Sequence, residues 1–454
     1  MSTIAAISTP RGAGGIAVIR ISGEKALEVT DRIFRPVSTK LAPSQMEGYS
    51  CAYGEVVFED EVYDDGVVTV FKAPRSYTGE DVVEISCHGG IFVSERILSL
   101  ILENGASPAG PGEFTKRAFL NGKMNLIQAE AVMDIISAEG KASQRCAVAL
   151  REGALFSSIN GVSVKLLHLL GELGAWVDYP EDDIPEVDHD AMLNVLNESA
   201  AELERILSTY DCGRILREGI DTAIVGKPNV GKSTLMNLLS GCERSIVTDI
   251  AGTTRDIVEE SVRLGDIVLR LSDTAGIHDT DDVVESVGVK RANDKIDSAE
   301  LILAVFDNSE ELSAEDIEIT DRCKGRNCIA VINKTDKEQK LDSSYIKENF
   351  NDVVYISAGN GDGIINLQNV LSELFKTNSI NYNAGILANE RQRGCVMNSL
   401  KSLRESIDAL NCGYTLDAVN ILIDEAENFL LELTGERASE AVVNEVFSHF
   451  CVGK

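Results

Sequence analysis

The segment Gly226-Lys-Pro-Asn-Val-Gly-Lys-Ser233 constrains the fold of this chain more than any other. A short apolar run, residues 222–225, leads into it, and a helical pattern, residues 234–239, leads out. A glycine-rich loop between strand and helix, ending in Lys-Ser, is the form that wraps a phosphate. Gly226 and Gly231 let backbone N–H groups approach phosphate oxygens, with Asn229, Val230 and Thr234 completing the wall. Lys232 is placed to reach the outer phosphates and the Ser233 hydroxyl to ligate Mg²⁺. The helix start adds a favourable dipole. Short β-branched strands alternate with helices from Asp221 to Lys376, which predicts a parallel sheet covered on both faces.

Three further motifs follow in order, each after a predicted strand. Asp273-Thr274-Ala275-Gly276 follows residues 268–271, where an acidic strand end can support the Mg²⁺ shell and Gly276 can offer its N–H to a terminal phosphate. Asn333-Lys334-Thr335-Asp336 follows the apolar run 328–332. A carboxylate at Asp336 can accept two hydrogen bonds from guanine N1–H and N2–H₂, a pair that adenine lacks, so the pattern selects GTP. Ser357-Ala358 follows residues 353–356 and offers a backbone N–H to guanine O6. Each motif alone is weak, because Asp, Gly and Asn are common in turns. Four in the right order are specific.

The remaining segments divide by pattern. Residues 1–121 are mixed α/β, with strands expected at 15–21, 66–71 and 81–86, a helix at 93–102, and a Pro/Gly-rich loop at 107–113. Residues 122–216 carry helical spacing over 125–159, 162–176 and 191–207, interrupted by an acidic connection, 178–185, that is either a solvated loop or a cation site. Residues 217–377 form the nucleotide domain. Residues 378–454 return to helical spacing over 389–410, 415–433 and 438–450. The simplest architecture is α/β plus all-α, with the nucleotide domain inserted into a helical domain.

Composition excludes several functions. The net charge is 42 − 73 = −31 and no Lys/Arg-rich block occurs, which disfavours tight nucleic-acid binding by this chain alone and binding to anionic membranes. No run of about 18 apolar residues is present, so no membrane span is expected. No signal peptide is evident. Ten cysteines are scattered without a CxxC pair, the usage of a reduced cytoplasmic protein. Cys323 and Cys328 are close in sequence, but no second ligand pair accompanies them, so they read as surface or core thiols.

The four motifs resemble the translation-factor-related GTPases, above all the subgroup with GxPNxGKS. Residues 248–256 (TDIAGTTRD) resemble their first switch, placing Thr248, Asp249, Ile250, Ala251, Gly252, Thr253 and Thr254 at the nucleotide and Thr254 on Mg²⁺. Ile277 stands where Ras-like enzymes carry a water-positioning glutamine. The resemblance implies a potassium ion instead, held by Asn229 and by Thr248, Ile250 and Thr253. By residue type alone, Asn229 also fits a turn needing an unusual backbone angle. Glu285 either orients water or is a solvated helix-surface carboxylate.

Over the whole chain the sequence resembles the MnmE (TrmE) tRNA modification GTPase family. The supporting segments are residues 15–23 (GIAVIRISG), 76–84 (SYTGEDVVE), 88–90 (HGG), 111–123 (PGEFTKRAFLNGK) and the ending Cys451-Val-Gly-Lys454. The resemblance implies an N-terminal α+β folate-binding domain, a helical domain and an inserted Ras-like P-loop GTPase domain. It implies a cytoplasmic homodimer formed through the N-terminal domain, acting with an FAD-containing partner, MnmG (GidA), that supplies most of the tRNA surface. The implied reaction adds an aminomethyl or carboxymethylaminomethyl group to C5 of the wobble uridine of certain tRNAs. Its one-carbon unit comes from a tetrahydrofolate derivative, 5,10-methylene- or 5-formyl-tetrahydrofolate. The family's folate contacts fall on Arg20, Glu84, Lys123 and Lys454, and Cys451 matches a candidate nucleophile. Two other readings stay open: a ribosome-assembly GTPase of the Era or Der type, and a folate-sensing scaffold with negligible turnover.

Overall fold

The computed structural model describes residues 2–178, 188–242, 260–272, 299–377 and 381–454. By packing, the chain divides into two compact units. One comprises Met1–Met133, Ser163–Leu196 and Asn398–Lys454; the other comprises Asp134–Val162 and Asn197–Met397. The helical segments are thus shared between both units.

The first unit is built on strands β1 (Ile4–Ile7), β2 (Ile16–Ser22), β3 (Phe34–Pro36), β4 (Ser50–Phe58), β5 (Glu61–Phe71), β6 (Val82–His88) and β7 (Ser107–Pro108). They form one sheet in the order β3-β4-β5-β6-β2-β1-β7, antiparallel except for β1 with β7. Alternation drives it: Ile19 and Ile21 on β2 are buried while Arg20 between them is not. Helices α1 (Ala26–Ile33) and α2 (Ile91–Glu103) cover one face, burying Val29, Ile33, Ile97 and Leu100 against Ile21, Val68 and Ile85. The sequence reading missed β4, whose residues alternate around polar Ser50, Tyr53 and Glu55, and it missed α1. It placed 107–113 in a loop; Ser107 and Pro108 pair with Ile4 and Ala5 instead. Helix α3 (Glu113–Leu120) follows.

Between the strands of the two sheets the chain forms, in sequence order, α4 (Leu126–Ser137), α5 (Lys141–Arg151), α6 (Ala154–Asp178), α7 (His189–Leu207) and α8 (Tyr210–Glu218). The expected run 125–159 is broken twice, once before Gly140, which caps α5, and once at Gly153, whose φ is +94°. Along α6 the buried residues Leu155, Ile159, Val162, Leu166, Leu169 and Leu173 recur at alternating steps of four and three, a one-sided seam. Among the described residues, Ala154–Trp176 has the length and mean hydropathy, 1.3, of a membrane span, although the sequence reading found no such run. Only 33% of its most apolar window is buried, and it carries an exposed His168–Glu172 pair on the other side. That one-sided pattern is what a helix packed against protein requires.

The second unit centres on β8 (Ile220–Val225), β9 (Glu260–Leu264), β10 (Ile267–Ser272), β11 (Leu301–Asp307), β12 (Cys328–Asn333) and β13 (Asp352–Tyr355). The interleaved helices are α9 (Lys232–Cys242), α10 (Ala314–Cys323), α11 (Ser344–Asn349) and α12 (Ile364–Leu374). The order is β13-β12-β11-β8-β10-β9, parallel except for the β9–β10 pair. All seven residues of β11 are buried, as a central strand covered on both faces must be. One apolar layer packs Leu235, Leu239 and Leu367 on the sheet, and the other packs Phe306, Ile346 and Phe350. Strand order reverses about β8, and a loop following a strand at such a switch point opens a crevice. The C-terminal helices are α13 (Glu390–Asn411), α14 (Leu416–Thr434) and α15 (Glu440–Ser448).

One buried carboxylate stands out in the first unit. Glu427 on α14 is 1% exposed; Ser163 Oγ donates to its Oε1 at 2.5 Å, and Oε2 has no hydrogen-bond partner among the described residues. Burial pushes this carboxyl up to about 7, with Glu436 and Asp424 adding to the rise. A raised folded value means the contribution is fully present below 4.5 and is lost as pH climbs through about 7. The rise corresponds to about 3 kcal/mol. Glu427→Gln keeps an acceptor for Ser163 and removes the charge. It is expected to leave the urea midpoint nearly unchanged at pH 4 and to raise it at pH 8.5. An identical shift at both pH values would refute the buried-carboxyl account.

Candidate functional site

The loop after β8 has the shape that its glycines dictate. Gly231 adopts φ +96°, and a Cβ there would lie 2.4 Å from Asn333 Nδ2. A Cβ on Gly226 would lie 2.6 Å from Val305 O. Both positions therefore need glycine for close packing as well as for backbone approach to a phosphate. Asn229 takes φ +62°, a left-handed angle that asparagine tolerates, so the turn reading of this residue has a structural basis.

Lys232 opens α9 and folds back over the loop. Its Nζ donates to the carbonyls of Gly226 and Lys227, each at 2.8 Å. Burial pulls its ammonium below the usual lysine range. Ser233 and Thr234 follow in the exposed first turn of α9, and Val230 is buried. A cation aimed across the loop, an exposed hydroxyl beside it and a helix N-terminus together suit a polyphosphate with Mg²⁺.

The base-recognition motif is fastened to this loop. Asn333 closes β12 and is 2% exposed; its Nδ2 donates to Val230 O at 2.9 Å, and its Oδ1 accepts from Ala358 N at 3.0 Å. Lys334 takes φ +60°, and its Nζ donates to Asn229 O at 2.7 Å and pairs with Asp307. Thr335 N donates to Ile356 O at 3.3 Å. Ser357 Oγ donates to Asp336 Oδ1 at 2.6 Å, and this bond holds the exposed Asp336 carboxyl below its usual range. Of the two backbone N–H groups in Ser357-Ala358, from which one is expected to read guanine O6, that of Ser357 donates to Asp362 O at 3.0 Å and that of Ala358 to Asn333. A bound base must share or replace one of these bonds.

Three residues that the sequence reading passed over complete the site. Asp307 ends β11 and is buried; burial alone would raise its carboxyl, but bonds from Lys334 and Ser309 outweigh it and leave it lowered. Lys227 pairs with Asp316 at 3.0 Å and Glu310 at 3.1 Å. Burial depresses the Lys227 ammonium, and these two carboxylates more than restore it. Asp316 also completes a capping box with Ser313 at the start of α10. The available signals were an Asp ending a fully apolar strand and a Ser-x-x-Asp helix start. Thr248, Asp249, Ile250, Ala251, Gly252, Thr253, Thr254, Asp273, Thr274, Ala275, Gly276, Ile277 and Glu285 lie outside the described residues, as does the acidic connection from Tyr179 onward.

In the first unit, Arg20 and Glu84 face each other in the β2–β6 register and pair at 2.8 Å. The Arg20 guanidinium lies 5.5 Å from the Tyr77 ring centre and 5.6 Å from that of Phe114. Phe114 N donates to Lys454 O at 3.2 Å, Gly112 N to Cys451 O at 3.3 Å, and Ser8 Oγ to Gly453 O at 3.1 Å. The chain end is thereby fixed beside α3. Lys123 Nζ donates to Pro74 O at 3.0 Å. A planar cation over two aromatic rings, next to a carboxylate, can receive a flat heteroaromatic ring with amide-like donors. The His449 ring pairs with Glu445, at 3.2 Å.

Residues 3–123 match the family described as GTP-binding protein TrmE N-terminus, and residues 126–451 match the MnmE helical domain. The chain is 42% identical over 457 residues to the tRNA modification GTPase MnmE of Thermoanaerobacter pseudethanolicus, covering 100% of this chain and 99% of that one. It is 42% identical over 456 residues to the same protein of Listeria innocua, with equal coverage. Among solved structures, Aquifex aeolicus Era aligns with 40% of this chain and 66% of its own at 29% identity, with a TM-score of 0.27. The full-length match sets aside a ribosome-assembly GTPase of the Era or Der type, and the chain belongs to the family of the tRNA modification GTPase MnmE.

Proposed function

We propose that this chain hydrolyses GTP to drive C5 modification of the wobble uridine of certain tRNAs in the cytoplasm. It acts as a homodimer with an FAD-containing MnmG (GidA) partner and a tetrahydrofolate derivative as one-carbon source. The observation that carries the nucleotide part is the direct coupling of the phosphate loop to the base motif through Asn333 and Lys334. One end of the sheet would then offer partners to both the phosphates and the guanine of one ligand.

In this reading Lys232 leaves the loop carbonyls for the outer phosphates, and its incomplete solvation strengthens that attraction. Ser233 and Thr254 would hold Mg²⁺, whose charge would offset that developing on the phosphates. The ionised Asp336 accepts from the guanine N1–H and N2–H₂. Asp307 and Asn229 O hold the Lys334 side chain in place, and its stem walls the base pocket. Asn229 with Thr248, Ile250 and Thr253 would supply oxygens to K⁺, and Glu285 would orient water where Ile277 cannot. Closure of two nucleotide domains across their switches would couple hydrolysis to the folate and FAD sites.

In the N-terminal unit, Glu84 would accept from the pterin, Arg20 would stack on it, and Lys123 and Lys454 would meet the glutamate tail. Two supports are the pairing of Arg20 with Glu84 and the anchoring of Lys454 beside Phe114. Cys451 is retained as a candidate nucleophile. The acidic chain, −31 in net charge, fits a division in which the partner carries most of the tRNA surface.

Three measurements test these assignments. Asp336→Asn is expected to weaken GTP binding roughly 100-fold and to improve binding of xanthosine triphosphate, whose C2 carbonyl suits an amide donor. Unchanged GTP affinity would remove Asp336 from the base pocket. GTP turnover in KCl is expected to exceed that in NaCl at equal ionic strength at least tenfold, about 1.4 kcal/mol of barrier. Equal and very slow rates would favour the folate-sensing scaffold. Mass spectrometry of tRNA nucleosides from cells lacking the gene is expected to show loss of C5-modified wobble uridines, restored by the intact gene. Unaltered wobble uridines would leave a GTPase without the proposed pathway.

A further inference from the structure

Cys323 is the last residue of α10 and Cys328 the first of β12. The connection reverses tightly: Arg326 N donates to Cys323 O at 3.3 Å, and Gly325 takes φ +78°. Across this turn each thiol is the other's strongest electrostatic neighbour. Both pack in the apolar layer with Ala304, Ile346 and Phe350, Cys323 buried and Cys328 partly exposed. This proximity, with Arg326 nearby, holds the Cys323 thiol below its usual range and pushes Cys328 up. Together they give up one proton readily and keep the other.

No third His, Cys, Asp or Glu joins the pair within metal-ligating reach among the described residues; the grouping of that kind is Asp64, Asp65 and His88. Two thiols in contact, one poised as thiolate, are instead the reactants of a thiol–disulfide couple. We propose that Cys323 and Cys328 form a reversible dithiol–disulfide site, oxidised by a low-molecular-weight disulfide of the glutathione class.

The step balances without further reagents. Cys328, the more exposed sulfur, first passes its proton to the Cys323 thiolate and then, as the thiolate, breaks the S–S bond of RS–SR. It forms Cys328–S–S–R and releases RS⁻, which takes up a proton. Cys323 then attacks Cys328 Sγ as thiolate, the protein S–S bond forms, and a second RS⁻ departs and is protonated. Two protein thiols are oxidised, one RS–SR is reduced to two RSH, and both protons come from the protein thiols.

The elements joined here reach the nucleotide loop at their far ends. Asp316 at the start of α10 holds Lys227, and Asn333 at the end of β12 holds Val230 O. A staple at the Cys pair would therefore brace both supports of the phosphate loop.

The test uses the full-length reduced chain, equilibrated with oxidised and reduced glutathione, acid-quenched, alkylated and digested with trypsin without reductant. Cleavage after Arg322, Lys324, Arg326 and Lys334 puts the two cysteines on separate peptides, 323–324 and 327–334. The proposal expects these peptides joined, released by dithiothreitol, and absent as a pair in Cys323→Ser, which carries glutathione on Cys328 instead. The ratio of joined to free peptide in the native chain is expected to exceed that in urea at least tenfold at the same glutathione ratio. Separate, alkylated peptides from chains whose exposed Cys51 and Cys412 have become glutathionylated would overturn it. So would equal joining in native and urea-unfolded chains.

Discussion

The side chain of Asn333 is the joint on which the nucleotide site depends. It is buried at the end of β12, and its amide spans two loops that are far apart in sequence, donating to Val230 O and accepting from Ala358 N. Each bond satisfies a backbone group that would otherwise be costly to bury. The consequence is geometric. The glycine-rich loop after β8 and the loops after β12 and β13 are held in one arrangement by contacts within the protein. Gly231 belongs to the same joint, because only a residue without Cβ leaves room for the Asn333 amide.

Charge at the rim of the site follows the same logic. Lys227, Lys232 and Lys334 crowd around one loop, and each has partners within the protein. Lys227 and Lys334 are matched by carboxylates from neighbouring secondary structure, Asp316 and Asp307. Lys232 alone is held by carbonyls, which neutralise no charge. Among the described residues it is thus the one of the three whose charge no carboxylate matches. In the N-terminal unit Arg20 is likewise matched by a carboxylate, that of Glu84.

The four nucleotide motifs could be placed from sequence because each sits where an apolar strand ends, and strand ends are marked by the change from Ile and Val to Gly, Asn and Asp. The strands at 222–225, 268–271, 328–332 and 353–356 appear within a residue or two of expectation. Strand β4 was missed because its outward face carries Cys51, Tyr53 and Glu55, so a Gly and a charge interrupt its apolar residues. The long helical stretch was read as continuous because Gly140 and Gly153 are isolated, and a single Gly does not by itself end a helical pattern.

Taken alone, the amino-acid sequence determined the order of elements, the chemistry of the phosphate loop and the choice of guanine. Those depend on neighbours within one strand–loop–helix unit, where spacing fixes what a side chain can reach. Tertiary structure decided which distant groups meet: Asn333 with Val230, Lys227 with Asp316, Lys334 with Asp307, Cys323 with Cys328, and the C-terminal residues with Gly112 and Phe114. Such contacts depend on strand order and helix placement, which follow from burying apolar faces across the whole sheet. No local pattern encodes that sum.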